Sequence, residues 1–374
     1  MASFCSKLIN GIRNLVRILS CPIIRIGPNE LHINDPSFYK TMFCTNDKFP
    51  VHAPSYNWLG TLDTFIGAPP TVHRARRSLV NPFFSKASVR GIEGSIRKHV
   101  NNLVNLINPR SKLPGNNCGV KTLRTEAGLN PGDGIDILSL CRRLTSDVMS
   151  EYLLGNSFEL LTSDKHLPFL RQILDTASNF QHYQFAGPII YALSLPPIEF
   201  LAKIVLPREF RGYWELGPIL GDHADALTRN PTLKVNEKTS RTILEALVEG
   251  RPGLKLSKRV IVDESLVIIA GGIETTAVTL AEAFYRVCIH PEVQARLHKE
   301  LVKEFPNKSD EITLARAEKL QYLTAFLKEI LRIAPAVPGR RVGVVPADGA
   351  ICRDRFFPGG VGIFLYISET SKTY

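Results

Sequence analysis

The residues best suited to chemistry stand in the run Gly271-Gly272-Ile273-Glu274-Thr275-Thr276, inside a segment, 263–290, that reads as one helix. Leu266-Val267-Ile268-Ile269-Ala270 before the run and Ala277-Val278-Thr279-Leu280-Ala281 after it leave no polar face, so the pattern predicts a buried helix. Its centre is poor helix material. Two glycines cost about 1 kcal/mol each against alanine, and paired threonines back-bond to carbonyls one turn earlier and bend the axis. A chemical reading offsets that cost: glycines let a flat ligand approach the backbone, and Glu274 beside the Thr275 hydroxyl can relay protons, since a buried carboxyl trades protons through a hydroxyl or water. A packing reading offsets it equally, as a helix crossing through small residues with Glu274 paired to an arginine elsewhere. The stretch by itself leaves both open.

A second constellation occupies residues 320–333, where Leu320, Leu323, Leu327 and Ile330 form an apolar stripe and Glu329 and Arg332 can pair at i, i+3. Ile333-Ala334-Pro335-Ala336-Val337-Pro338 stops that helix and begins an extended segment. Residues 71–80, read as helical, gather His73, Arg76 and Arg77 on one side, where they could grip a di-anion or form an ordinary solvated basic face. Strands are predicted over 23–26 and 30–33, joined by a Gly-Pro-Asn turn, and helical periodicity returns from Ile135 (Ile137, Leu138, Leu140, Cys141, Leu144, Val148, Met149, Tyr152, Leu153).

These elements belong to a chain of 374 residues, 44% hydrophobic, long enough for one large core or two domains. The net charge of +11, from 46 basic and 35 acidic side chains, is spread without a block dense enough for a nucleic-acid stripe; it suits an anionic membrane or an acidic protein partner. Seven cysteines (Cys5, Cys21, Cys44, Cys118, Cys141, Cys288, Cys352) show no C-x-x-C pair or metal-ligand spacing, which points to a reducing compartment. No apolar run is expected to span a bilayer. Residues 6–20 place Leu8, Ile12, Leu15 and Leu19 on one helical face with Lys7, Arg13 and Arg17 elsewhere, and no acid precedes Glu30; this reads as an interfacial helix, a transit peptide or a short surface helix. Residues 108–134, rich in Gly and Pro, read as a long loop, either an insertion or sequence foreign to the fold. Residues 185–206, with Pro188, Pro196 and Pro197, read as short helices around an apolar loop that dips into a membrane, lines a channel or packs in the core. No internal repeat is present.

Taken in order and spacing, the chain resembles the cytochrome P-450 family, haem-thiolate monooxygenases, in its fungal microsomal form. Gly271-Gly272-Ile273-Glu274-Thr275-Thr276 resembles the oxygen-activation motif, Glu329-Ile330-Leu331-Arg332 the Glu-x-x-Arg motif, and His73-Arg74-Ala75-Arg76-Arg77 the haem-propionate helix. Gly27-Pro28-Asn29-Glu30-Leu31-His32-Ile33, Asn81-Pro82-Phe83-Phe84-Ser85 and Gln321-Tyr322-Leu323-Thr324-Ala325 match flanking text in the same order, from Pro22 to about Gly360 with an interruption at 108–134.

The resemblance implies a mainly α fold with a minor β-sheet and one incomplete domain over 1–374. It implies haem b held through its propionates by His73, Arg77 and Arg340, with Gly271 and Gly272 leaving room for dioxygen and substrate. Glu274 and Thr275 become the proton relay, and Glu329 and Arg332 a structural pair near the proximal side. Implied partners are NADPH-cytochrome P-450 reductase, a hydrophobic small-molecule substrate of fungal secondary metabolism and the cytosolic face of the endoplasmic reticulum membrane, with no nucleic acid; the N-terminal membrane helix usual in microsomal members is not expected here, a departure from the family.

The same resemblance marks departures. The family ligates iron through a cysteine thiolate in a Phe-x-x-Gly loop, and the chain reaches Tyr374 without one, so no metal ligand is assigned here; Cys352 falls in a strand region. Residues 361–374 are expected to diverge, and Gly343 stands where related sequences often carry arginine. Without a thiolate push, dioxygen cleavage at haem is not expected. The alternatives are therefore a truncated, non-catalytic remnant or binding protein, and a haem-free helical lipid-binding protein.

Overall fold

The computed structural model describes residues 22–42, 49–52, 64, 68–107, 135–163, 165–167, 171, 212–229, 241–307, 309–334, 336–337 and 340–366. In chain order these form β1 (Ile23–Gly27), β2 (Glu30–Ile33), α1 (Pro36–Met42), α2 (Pro70–Val80), a 3-10 turn (Asn81–Phe84), α3 (Lys86–Gly91) and α4 (Glu93–Ile107). There follow α5 (Ile137–Leu154), α6 (Gly212–Arg229), α7 (Ile243–Glu249), α8 (Lys258–Ile289), α9 (Pro291–Glu304), α10 (Leu314–Ala317) and α11 (Gln321–Ile333). The chain closes on β3 (Arg340–Val344), β4 (Ala350–Cys352), β5 (Arg355–Phe357) and β6 (Gly362–Tyr366). The fold is thus mainly helical with a small sheet, as the sequence leads one to expect. The readings of 6–20, 108–134 and 185–206 lie outside the described residues.

Local chemistry sets the helix ends. Ser257 caps α8 by accepting from the Val260 N–H, Thr242 and Glu245 form a reciprocal capping box on α7, and Gly155 at φ 82° ends α5 in a left-handed turn. The core is built around α8, whose most extensive contact is with α5, followed by α6. Every residue from 261 to 269 is buried, including Asp263 and Glu264. The expectation of burial along the whole helix is corrected further on: Phe284, Tyr285 and Ile289 are 44%, 52% and 44% exposed. A second correction concerns length. At 32 residues, with an 18-residue window of mean hydropathy 1.5, α8 is long and apolar enough by composition to cross a membrane, whereas no such run was expected; its buried carboxyl residues and the packing of 261–269 make it the central helix of the core.

The sheet runs in the order β1-β2-β6-β3, with β1/β2 and β6/β3 antiparallel and β2/β6 parallel. Ile33, Ile363 and Leu365 bury one face against Phe38, Met42 and Phe49. Residues 362–366, placed in the stretch expected to diverge, form an inner strand paired on both sides; 367–374 lie outside the described residues. Gly343 has a packing reason. A Cβ there would stand 2.4 Å from the Met42 methyl, the far end of a flexible side chain, so a side chain requires that methyl to shift.

Candidate functional site around the centre of helix α8

The middle of α8 bends its own hydrogen bonding as its threonines predict. Thr275 Oγ1 donates to the Gly271 carbonyl oxygen at 2.5 Å, and Thr279 Oγ1 donates to Thr275 O at 2.9 Å. The two glycines part company. A Cβ on Gly271 would meet nothing within 4 Å, so the backbone there is open to a ligand. A Cβ on Gly272 would stand 2.6–2.9 Å from the Met149 side chain of α5. Gly272 therefore serves the helix crossing, and the reading that it leaves room for a ligand is corrected: the space belongs to Met149.

Glu274 has the arginine that the packing reading requires. Arg142 Nε on α5 donates to Oε2 at 2.9 Å and Nη2 to Oε1 at 2.5 Å, a two-toothed pair with side chains 22% and 18% exposed. The carboxylate is anchored to α5, so any proton relay toward Thr275 begins from an ion pair.

On α2, Pro70 opens the first turn and Leu79 and Val80 bury the last. The expected cationic trio does not act as a unit. Arg76 Nη1 lies 3.4 Å from Glu264 Oε1 of α8, in a pair 11% and 1% exposed, because a carboxylate buried in the core needs a compensating cation. Arg77 lies over the Phe84 ring at 5.1 Å, and His73 is half-buried. Arg340 opens β3, paired in register with Tyr366, its side chain outside the described residues. A cleft of about 490 Å³ opens beside Arg76, lined also by Thr71, Val72, Lys255 and Ser257, toward the N-terminal end of α8.

On α11, Arg332 Nε donates to Glu329 Oε2 at 2.7 Å and Nη2 to Oε1 at 2.5 Å, and Arg332 holds the Glu329 carboxyl below its ordinary range. The pair is exposed, at 34% and 52%. Ile330 is the buried residue of this helix, while Leu327 and Leu331 are 43% and 63% exposed. With Phe284, Tyr285 and Ile289 they leave the C-terminal part of α8 and one side of α11 as uncovered apolar surface.

A flat apolar cofactor such as haem fits the distal features: an unobstructed backbone at Gly271 and a hydroxyl one turn on. The described cysteines do not add an axial thiolate there. Burial pushes the Cys141 thiol up to about 11, assisted by Asp136; burial and the Asp35 charge raise that of Cys352, which sits in the sheet core. Cys288 is exposed 17 residues further along α8, about 25 Å at helical rise. Among the described residues no cluster of three His, Cys, Asp or Glu could hold a metal ion.

Sequence reasoning missed Arg142, Met149 and the Arg76–Glu264 pair. One signal was present: Arg142 and Arg143 interrupt an otherwise apolar helical pattern, and cations in such a place need partners. Arg143, 2% exposed, finds the Leu160 carbonyl at 2.8 Å.

Comparison with known proteins bears on the family and the fold. The cytochrome P450 monooxygenase aneF of Aspergillus aculeatus is 26% identical over 365 residues, covering 94% of this chain and 68% of the relative. The tryptophan 6-hydroxylase fscE of Fusarium equiseti is 25% identical over 362 residues, covering 93% and 66%. The chain spans 60% to 73% of the length of the curated relatives it matches. Among solved structures, a cytochrome P450 described as CYP102L1 superposes at TM-score 0.70 with 18% identity, covering 97% of this chain and 74% of that one. The haem domain of cytochrome P450DA superposes at 0.72 with 15% identity, covering 98% and 73%, so both share the fold. The cytochrome P450 family model matches residues 21–373, and the chain accordingly belongs to that haem-binding family.

Proposed function

We propose that the chain forms the distal wall of a haem-dependent monooxygenase, which places one oxygen atom of dioxygen into a hydrophobic small molecule. The observation that carries this reading is the centre of α8, where Gly271 leaves open space and its carbonyl is held by the Thr275 hydroxyl. Bound haem would supply dioxygen activation, with electrons from NADPH through NADPH-cytochrome P-450 reductase and the second oxygen atom leaving as water.

The chain's own residues do the rest. Arg77 and Arg340 would supply positive charge for the propionates, and His73 a ring N–H. Gly271 lets the flat face approach the backbone, and Thr275 holds a proton at Oγ1 beside that face. Glu274 would relay protons from solvent to Thr275, for which its carboxylate must first leave Arg142 and take up a proton. Gly272 and the Glu329–Arg332 pair brace the helices. The fungal monooxygenases that the chain matches support a secondary-metabolite substrate, and the net charge of +11 supports both an acidic reductase face and the endoplasmic reticulum membrane surface as partners.

A second reading, a chain that binds haem or a lipid without turning it over, is favoured by where the described cysteines stand: Cys141 and Cys352 are buried in the core and Cys288 lies 17 residues beyond Gly271 on α8. Haem titration of the purified chain, followed by a reduced carbon-monoxide difference spectrum, separates the readings. Saturable binding with a thiolate-type band is the expected result for the monooxygenase. Saturable binding without that band selects the non-catalytic haem protein, and no saturable haem binding refutes the monooxygenase and favours the haem-free lipid-binding protein.

A further inference from the structure

The segment between α7 and α8 builds a wall that the oxygen chemistry does not use. Its sequence, Gly250-Arg251-Pro252-Gly253, is turn chemistry, and the chain reverses there: Gly250 and Gly253 take φ 62° and 77°, and Arg251 and Leu254 exchange backbone hydrogen bonds at 3.0 and 2.9 Å. A Cβ on Gly250 would stand 2.4 Å from the Leu254 carbonyl oxygen, so this close approach requires glycine. The turn sets Leu254 and Leu256, both half-buried, against the core that surrounds α8.

The same two leucines line the cleft of about 490 Å³ beside Arg76. Val72 and Ala75 of α2 and Val260 of α8 complete its apolar lining, and Thr71 and Ser257 add hydroxyls. That volume falls within the roughly 300–1,000 Å³ of small-molecule sites. Its charge is one-sided: the lining holds two cations, Arg76 and Lys255, and no carboxylate. Arg76 is engaged by Glu264 at 3.4 Å, which leaves Lys255 as the charge in excess. Lys255 is exposed and held in place by the Glu249 carbonyl, to which Nζ donates at 2.5 Å. His73 and Arg77, proposed for the propionates, do not line the cleft, so it is a separate site from the haem face.

We infer that this cleft binds a free long-chain carboxylate, its alkyl chain between α2 and the wall of Leu254 and Leu256 and its carboxylate at Lys255. An inorganic anion would gain nothing from five apolar side chains, and an uncharged chain nothing from Lys255. The bound molecule ties α2 to the start of α8, since both line the cleft, and it does so whether or not haem is present.

The test is photolabelling of the full chain with a diazirine-bearing dodecanoate, the labelled peptides being identified by mass spectrometry. Label is expected on 71–76 and 254–260, saturable and competed by dodecanoate. In calorimetric titration dodecanoate should bind about tenfold more tightly than dodecanol, and Lys255→Glu should weaken dodecanoate by about the same factor, as reversal of one neighbouring exposed charge does. Ala75→Phe fills the apolar lining and should abolish the label on both peptides with circular dichroism unchanged. Label confined to other peptides, the centre of α8 included, overturns the site while leaving the monooxygenase reading intact, and so does undiminished label in a folded Ala75→Phe variant. Equal affinity for dodecanol overturns the carboxylate, and the absence of saturable label overturns the ligand altogether. The peptide map is read on the unaltered chain, so it decides the matter even where Ala75→Phe fails to fold.

Discussion

The pair between Arg142 and Glu274 decides whether the acid of the α8 motif is a relay or a strut, and replacing Arg142 with glutamine probes it. The contacts are two-toothed, at 2.9 and 2.5 Å, and the side chains are 22% and 18% exposed. Surface pairs contribute about 0–1 kcal/mol, and breaking buried ones costs about 3–5. A pair placed between those limits should contribute about 2 kcal/mol. Arg142→Gln should therefore lower stability by that amount in urea unfolding followed by circular dichroism. Glu274→Gln should cost a similar amount, and the double variant should lose little more than either single one. The coupling energy expected from the cycle is about 1.5 kcal/mol.

The same magnitude bears on mechanism. If the carboxylate must leave Arg142 to serve Thr275, a bias of about 2 kcal/mol keeps the released form near 3% of molecules. A relay would then be limited by release, and Arg142→Gln would raise the share of product over peroxide in haem-loaded protein. A strut would lower it with stability. A coupling energy under about 0.5 kcal/mol, the level seen for independent sites, would refute the reasoning at its root, because the pair would then hold nothing.

Alanine at the two glycines should give opposite signs in thermal unfolding. Gly271→Ala adds helix propensity into open space and should stabilise by about 1 kcal/mol, whereas Gly272→Ala drives a methyl into Met149 and should cost about 1–3 kcal/mol; equal signs would refute their separate roles. A pH dependence follows from Glu151 of α5. Burial raises its carboxyl, but hydrogen bonds from His99 at 2.6 Å and from Ser95, with the Lys98 charge at 3.6 Å, more than offset this and leave it below its ordinary value. A depressed carboxyl contributes stability that is complete above its unfolded value, near 4.5, and is lost as pH falls through the folded one. Glu151→Gln should thus be less stable than the unaltered chain at neutral pH and converge with it in acid; a gap persisting at low pH would count against the assignment.

What the sequence made legible was periodic or local. The strands around Gly27-Pro28-Asn29, the helix stopped before Pro335 and the threonine back-bonding at Gly271 all depend on residues a few positions apart, and each stands where the pattern put it. What stayed hidden depends on partners far along the chain. Whether a glycine faces a ligand or a neighbouring helix cannot be read from the glycine; Gly272 is explained by Met149, 123 positions earlier. Arg76 looked like a ligand-binding cation until Glu264 appeared beside it, and the open side of α11 was invisible because an apolar stripe does not say what covers it.

The two halves of α8 show why such a helix tolerates its own centre. The glycines at 271 and 272 together cost about 2 kcal/mol of helix propensity. The first half offsets that through burial of 261–269 against α5 and α6, with Arg76 compensating the Glu264 charge. Gly272 adds to the same account by letting α5 approach, so only Gly271 is left without a packing reason. A glycine that neither turns the chain nor admits a neighbour is the residue most readily replaced by alanine at a gain in stability. Its presence beside a hydroxyl and an ion-paired acid is therefore the part of this helix that packing does not account for, and the part that a ligand would.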